Sequence, residues 1–129
     1  VIPRWSSFRH AFRGLVVTTR SQRHMRFHLS AAAAVILGAV LLNVSATEWA
    51  LLAVAIGLVL TAESFNTALE RLADRVTGDL DPLIRDAKDM AAAGVLGAAI
   101  TALAVGLLVF LPKLPALFQW IAGPIFAEA

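Results

Sequence analysis

Met90-Ala-Ala-Ala-Gly-Val-Leu-Gly-Ala-Ala-Ile-Thr-Ala-Leu-Ala-Val-Gly-Leu-Leu-Val-Phe-Leu111 carries no charged side chain along its whole length. At about 1.5 Å of rise per residue, an α-helix over this stretch reaches across a hydrocarbon layer roughly 30 Å thick. Pro112 and Pro115 then stop it. Its small residues, from Ala91 through Gly94 to Gly97 and Ala98, suit the close helix approach that packing in lipid requires. Working backwards, Asp81-Pro82 reads as a helix start and Gly78 as a helix stop, so a spanning helix is expected over 83–111.

Two further spans precede it. No formally charged residue falls between Arg26 and Glu48, and 27–44 is long enough to cross. Asn43, Ser45 and Thr47 make a polar turn, after which Trp49 opens another apolar run as an interfacial anchor. That run is too short alone, so its helix must continue through a polar stripe and occupy 48–76. At the N-terminal end, Trp5, Phe8, Phe12, Leu15 and Val16 recur three and four residues apart, with Arg9, Arg13 and Arg20 on an adjoining face. Residues 3–20 therefore read as an amphipathic helix lying on the membrane surface, and no cleavable signal peptide is expected. Residues 114–127, broken by Pro115, Gly123 and Pro124, read as an interfacial tail anchored by Trp120. The expected fold is all-α: one integral membrane domain over 1–129, with a surface helix and three transmembrane helices.

With 59% hydrophobic residues and a mean hydropathy of +0.77, the 129-residue chain has no room for a separate soluble catalytic domain, so any chemistry happens at the membrane. The absence of cysteine excludes thiolate metal sites and cysteine nucleophiles. The basic excess is local: Arg4, Arg9, Arg13, Arg20, Arg23 and Arg26 precede any acidic residue, and anionic lipid is their expected neighbour. Nucleic acid is not an expected partner, because the patch runs directly into a hydrophobic span without a recognition motif. Arg71, Arg75, Arg85 and Lys88 cluster around the loop after the second span, and the positive-inside rule makes this loop and the N-terminus cytoplasmic.

The polar stripe lies on that side. Glu63, Asn66, Glu70 and Asp74 are three or four residues apart, so a helix aligns them on one face. Glu70 and Asp74 can pair with Arg71, Arg75 or solvent at a cytoplasmic helix end. Glu63 lies deeper, where a carboxylate is costly and usually faces the bundle interior, a watery pocket or a metal. Two such carboxylates can divide labour, one taking a proton and the other holding a hard cation. Lys88-Asp89 reads in isolation as an interfacial anchor and helix-start carboxylate; beside the stripe, Lys88 can hold phosphate oxygens and Asp89 can accept from it or from a nucleotide. No P-loop or kinase-type glycine-rich loop is present. His24 and His28 are one helical turn apart, a spacing more often interfacial than metal-binding.

Glu63-Ser-Phe-Asn-Thr-Ala-Leu-Glu70, then Asp74, then Ala87-Lys-Asp-Met-Ala-Ala-Ala-Gly94 resembles the prokaryotic diacylglycerol kinase family, which includes the undecaprenol kinases. Phe8-Arg-His-Ala-Phe-Arg-Gly-Leu15, Met25-Arg-Phe-His28, Glu48-Trp49 and Phe110-Leu-Pro-Lys-Leu114 extend the resemblance over roughly residues 5 to 114. It implies a homotrimer in the bacterial inner membrane with active sites shared between subunits, where ATP and magnesium phosphorylate a lipid alcohol, undecaprenol or diacylglycerol. It also implies Glu63 as general base, Glu70 as magnesium ligand, and Asn66, Asp74, Lys88 and Asp89 as the polar shell around nucleotide and phosphates. By the same resemblance His10 lies near the nucleotide, and Asp79 and Asp81 lie in the loop approaching it. Gln22 is a departure, standing where the family usually has a metal-binding glutamate; a neutral amide offers only a carbonyl oxygen. The alternative expectation is a catalytically weakened lipid- or nucleotide-binding homologue.

Overall fold

The computed structural model describes residues 4–76, 81–116 and 118. They form four α-helices, α1 (Arg4–Ser21), α2 (Arg23–Leu41), α3 (Ala46–Val76) and α4 (Pro82–Phe110), followed by a 3₁₀ turn at Leu111–Lys113. Three of them are long and apolar enough to cross a membrane: α2, α3, and α4 with its extension to Ala116. The all-α membrane architecture expected from the uncharged runs is the one observed. Asp79, Trp120 and most of the 114–127 tail lie outside the described residues.

The boundaries follow local chemistry. Gln22, extended at φ −113°, separates α1 from α2, so α2 begins before the apolar stretch and includes Arg23 and Arg26 in its first turn. α2 ends at Leu41 rather than Val44 because Asn43 turns left-handed at φ 48°, a conformation asparagine tolerates better than most residues. The Asn43 N–H donates to the Val40 carbonyl and the Val44 N–H to the Ala39 carbonyl, the paired bonds of a Schellman turn. Val44 is thereby tucked into the core. α3 starts on a capping box: the Ser45 N–H donates to Glu48 Oε2 (2.7 Å), and the Glu48 N–H donates to Ser45 Oγ (3.3 Å). Glu48 Oε1 also meets Lys113 Nζ at 3.0 Å, clamping the start of α3 to the end of α4. α4 is capped by Asp81, whose Oδ1 accepts from the N–H groups of Leu83 and Ile84, with Pro82 in its first turn.

α3 packs mainly on α4 and next on α2. Its buried positions Leu52, Ala55, Val59, Glu63 and Thr67 recur at three- and four-residue spacing and make one inward stripe, with Ala73 buried further along. The apolar core occupies the end of the bundle near the α2–α3 turn, where Ala39, Val44, Leu52 and Val109 pack with Trp49, Val105 and Phe110 around them. Leu52→Ala is expected to destabilise the bundle by about 2 kcal/mol, the low end for buried leucine truncation, because lipid solvates the side chain in the unpacked state and chiefly packing contacts are lost. Denaturant titration in mixed micelles reads this; an unchanged midpoint would show that this core is not closed. The exposed faces are strongly apolar, including Phe8 and Phe12 on α1 and Val54, Leu103 and Leu108 on α3 and α4, as expected where lipid or another copy is the surroundings.

Candidate active site

α3 is hydrophobic and inward-facing from Leu52 to Val59, and the next two inward positions on the same stripe are polar. Glu63 and Thr67 are each only 3% exposed. The 31-residue helix continues unbroken through them because its polar residues all stand at helical spacing and neither proline nor glycine interrupts 58–76.

Asn66 and Glu70 flank the buried pair, both half-buried. Asn66 Nδ2 donates to Glu70 Oε1 at 3.2 Å, the i to i+4 pairing that the stripe predicts, and it fixes which way the amide is turned. Asn66 Oδ1 is then left as a buried acceptor without a hydrogen-bond partner, as is Thr67 Oγ1. Such groups are rare in folded proteins because each costs the desolvation of a polar atom with nothing returned. Two of them beside a buried carboxylate mark a place built for something polar.

One turn beyond Glu70, Asp74 meets α4. Its Oδ1 accepts from Lys88 Nζ at 2.8 Å. Asp74 therefore pairs across the loop, in place of the neighbouring Arg71 or Arg75, and Lys88 takes Asp74 rather than the adjacent Asp89. For Arg75 and Asp89 the reason is geometric: residues adjacent in a helix diverge by about 100°, whereas Asp74 and Lys88 face each other where α3 and α4 pack. The pair lies nearer solvent than Glu63, with Asp74 exposed and Asp89 exposed beside it.

The remaining expected residues are more dispersed. Gln22 is half-buried at the α1–α2 junction, where its backbone N–H donates to the Thr18 carbonyl at 2.9 Å while its side chain caps nothing. His10 is exposed on α1. Asp81 is occupied as the α4 cap. Among the described residues no three His, Asp or Glu side chains come close enough to hold a metal by themselves.

Between α2, α3 and α4 runs an apolar groove of about 540 Å³. Phe27 and His28 line it on α2, Val59 and Leu60 on α3, and Leu103 and Leu107 on α4. Val59 is one helical turn before Glu63 on the same inward stripe, so the apolar groove and the buried carboxylate adjoin along α3.

Thr67 is the functional candidate that motif reading passes over. Its signal is the spacing itself, since it stands four residues after Glu63 on the inward stripe, but only a hydrogen-bond accounting distinguishes it from an ordinary helical threonine.

The chain is similar to known sequences over most of its length. The family described as prokaryotic diacylglycerol kinase matches residues 9–110. The undecaprenol kinase of Bacillus subtilis is 41% identical over 110 residues, covering 85% of this chain and 89% of that protein. A diacylglycerol kinase of Synechocystis sp. is 42% identical over 109 residues, covering 84% of this chain and 62% of that protein. The matched region takes in α1 from Arg9 onward, all three spans, the Glu63 to Asp74 stripe and Lys88. The chain belongs to the prokaryotic diacylglycerol kinase family and is a multi-pass bacterial membrane lipid kinase.

Proposed function

We propose that the protein, as one domain over 1–129, transfers the γ-phosphoryl group of ATP to the hydroxyl of a membrane lipid alcohol, undecaprenol or diacylglycerol. The reaction takes place at the cytoplasmic face of the bacterial inner membrane, with the N-terminus on that side. The observation that carries this reading is the buried Glu63 carboxylate, held on a spanning helix next to an apolar groove on one side and the Asn66, Glu70, Asp74 and Lys88 cluster on the other. A lipid alcohol needs the first neighbour and a triphosphate the second.

In the reaction the lipid oxygen bonds to the γ-phosphorus, the bond from that phosphorus to the ADP oxygen breaks, and the hydroxyl proton passes to Glu63. Phosphoryl transfer asks mainly for positioning and for neutralised charge, with a base near the attacking hydroxyl. Lys88, held beside Asp74, supplies positive charge to phosphate oxygens, and the exposed Asp89 accepts from the nucleotide. His10, Asp79 and Asp81 contact the nucleotide from the surface helix and the α3–α4 loop.

A divalent ion fits the donors present. The Glu70 carboxylate and the orphaned Asn66 Oδ1 are oxygen ligands of the kind Mg²⁺ takes, and Gln22, at the α1–α2 junction, is the candidate for a further carbonyl oxygen. Because Mg²⁺ characteristically keeps several waters and phosphate oxygens, one or two protein ligands suffice. Bound there, it would draw negative charge off the phosphate oxygens. Homotrimerisation with shared sites is supported by the lipid-side character of the exposed faces and by Gly94 and Gly97, where open space lies above the helix for another helix to approach.

The test is transfer of label from γ-labelled ATP, with magnesium, to undecaprenol and diacylglycerol offered together in bilayer nanodiscs. Labelled lipid phosphate is the expected product, and the ratio of the two products identifies the substrate. Release of inorganic phosphate without labelled lipid would refute the reading.

A further inference from the structure

Thr67 departs from how this chain treats most hydroxyls inside its helices, and unlike the exposed Thr61 it is buried. A helical serine or threonine with no other partner normally donates to the carbonyl four residues earlier. Thr18 does so to Gly14 (3.0 Å), Thr19 to Leu15 (2.8 Å), Ser64 to Leu60 (2.7 Å) and Thr101 to Gly97 (2.9 Å). Thr67 makes no such bond to the Glu63 carbonyl, and its Oγ1 is buried without any partner. The residue as a whole is 3% exposed. A buried hydroxyl that declines the bond available to it is in place for a ligand atom.

The chemistry of that atom follows from its surroundings. Glu63 lies one turn away on the same stripe, and an ionised carboxylate only accepts hydrogen bonds. A threonine hydroxyl donates one bond and accepts others. An oxygen placed between them must donate to Glu63 and accept from Thr67, which an alcohol does and an ether, ester carbonyl or hydrocarbon does not. The apolar groove reaching Val59 and Leu60 leads an apolar chain to within one turn of Glu63 on α3.

We infer that Thr67 is a substrate-binding residue whose Oγ1 donates to the acceptor hydroxyl of the lipid alcohol while that hydroxyl donates to Glu63, an inference that rests on the kinase reading above. The two bonds fix the oxygen from two sides and leave a lone pair for the phosphorus. They also make the site selective for an alcohol over its deoxy analogue, since a buried polar pair left unmatched penalises the wrong ligand.

Thr67→Val removes the hydroxyl and keeps the branched shape; Thr67→Ser keeps the hydroxyl and removes the methyl. Two probes serve, dioctanoylglycerol and geranylgeraniol, each paired with the analogue carrying hydrogen in place of the hydroxyl. Binding is measured without ATP, by competition against a fluorescent dioctanoylglycerol in nanodiscs. Wild-type protein and Thr67→Ser are expected to prefer at least one alcohol over its analogue by tenfold or more, and Thr67→Val to lose most of that preference. In turnover, Thr67→Val is expected to lower kcat/KM for the lipid at least tenfold with KM for ATP unchanged and thermal stability equal or higher.

Wild-type preference retained in Thr67→Val would overturn the inference. So would equal losses in Thr67→Val and Thr67→Ser, or loss of subunit association in Thr67→Val with preference intact, because these are signatures of packing. Binding preference is read without phosphoryl transfer, so an inactive wild-type protein that still discriminates through Thr67 would refute the kinase reading and leave this one standing.

Discussion

Glu63→Gln is expected to lower lipid phosphorylation by 10²- to 10⁴-fold, the usual contribution of a positioned general base, while ATP affinity stays within about twofold of wild type. The substitution is nearly isosteric. It leaves the α3 stripe packed and removes only the capacity to take the substrate proton. Glu63 is 3% exposed, so a neutral amide there is also easier to bury than a carboxylate, and the variant should unfold no sooner than the wild-type protein. Loss of turnover without loss of stability or nucleotide binding separates the base from a structural carboxylate. Single-turnover transfer under saturating ATP is the measurement, and a rate within threefold of wild type would remove Glu63 from the chemistry.

Glu70→Gln is the second large effect and of a different kind. Glu70 accepts from Asn66 Nδ2, so the carboxylate and the amide form one unit whose remaining oxygens include the orphaned Asn66 Oδ1. Neutralising Glu70 takes away the charge that would hold a hard cation, whereas the hydrogen bond donated by Asn66 Nδ2 can persist to the new amide oxygen. The magnesium concentration for half-maximal transfer is expected to rise at least tenfold, with partial recovery of rate at high magnesium. Chelation of magnesium should abolish transfer in wild type and variant alike. The two glutamates are thus distinguished by titration: added magnesium rescues Glu70→Gln and does nothing for Glu63→Gln. An unaltered magnesium requirement in Glu70→Gln would move the cation elsewhere.

What was legible in the sequence depended on whether the deciding interaction is local. The first and third spans announced themselves because an uncharged run of bilayer length has few other uses, whereas the second had to be extended through its polar stripe. Their ends were less so. Val44 looks like one more apolar residue of a span, and only the left-handed turn at Asn43, with its two backwards bonds, shows that the helix has already finished. Arg23 and Arg26 look like flanking charges, yet they are in the first turns of α2 because helix geometry is indifferent to hydropathy. The Ser45 and Glu48 exchange at the start of α3 is local and could be read from its spacing, whereas the bond from Lys113 to Glu48 joins residues far apart in the sequence.

The site divides in the same way. Asn66 and Glu70 are four apart on one helix, and their bond follows from that spacing. Asp74 and Lys88 belong to different helices, and nearer residues compete for attention as partners: Arg75 and Asp89, which helix geometry turns aside, and Arg71, which it does not. Thr67 was hidden for another reason. Its meaning lies in a bond it does not make, and pattern reading registers residues rather than unmet hydrogen bonds.

The most direct test of a phosphoryl-transfer site on the inward stripe of α3 is label transfer from γ-labelled ATP to lipid alcohol in nanodiscs, measured across a magnesium titration for wild type, Glu63→Gln and Glu70→Gln together. The expected outcome is active wild type, Glu63→Gln silent at every magnesium concentration, and Glu70→Gln recovering as magnesium rises. Transfer at wild-type rate and magnesium dependence in both variants would contradict it, and would mean that Glu63 and Glu70 serve the fold rather than the reaction.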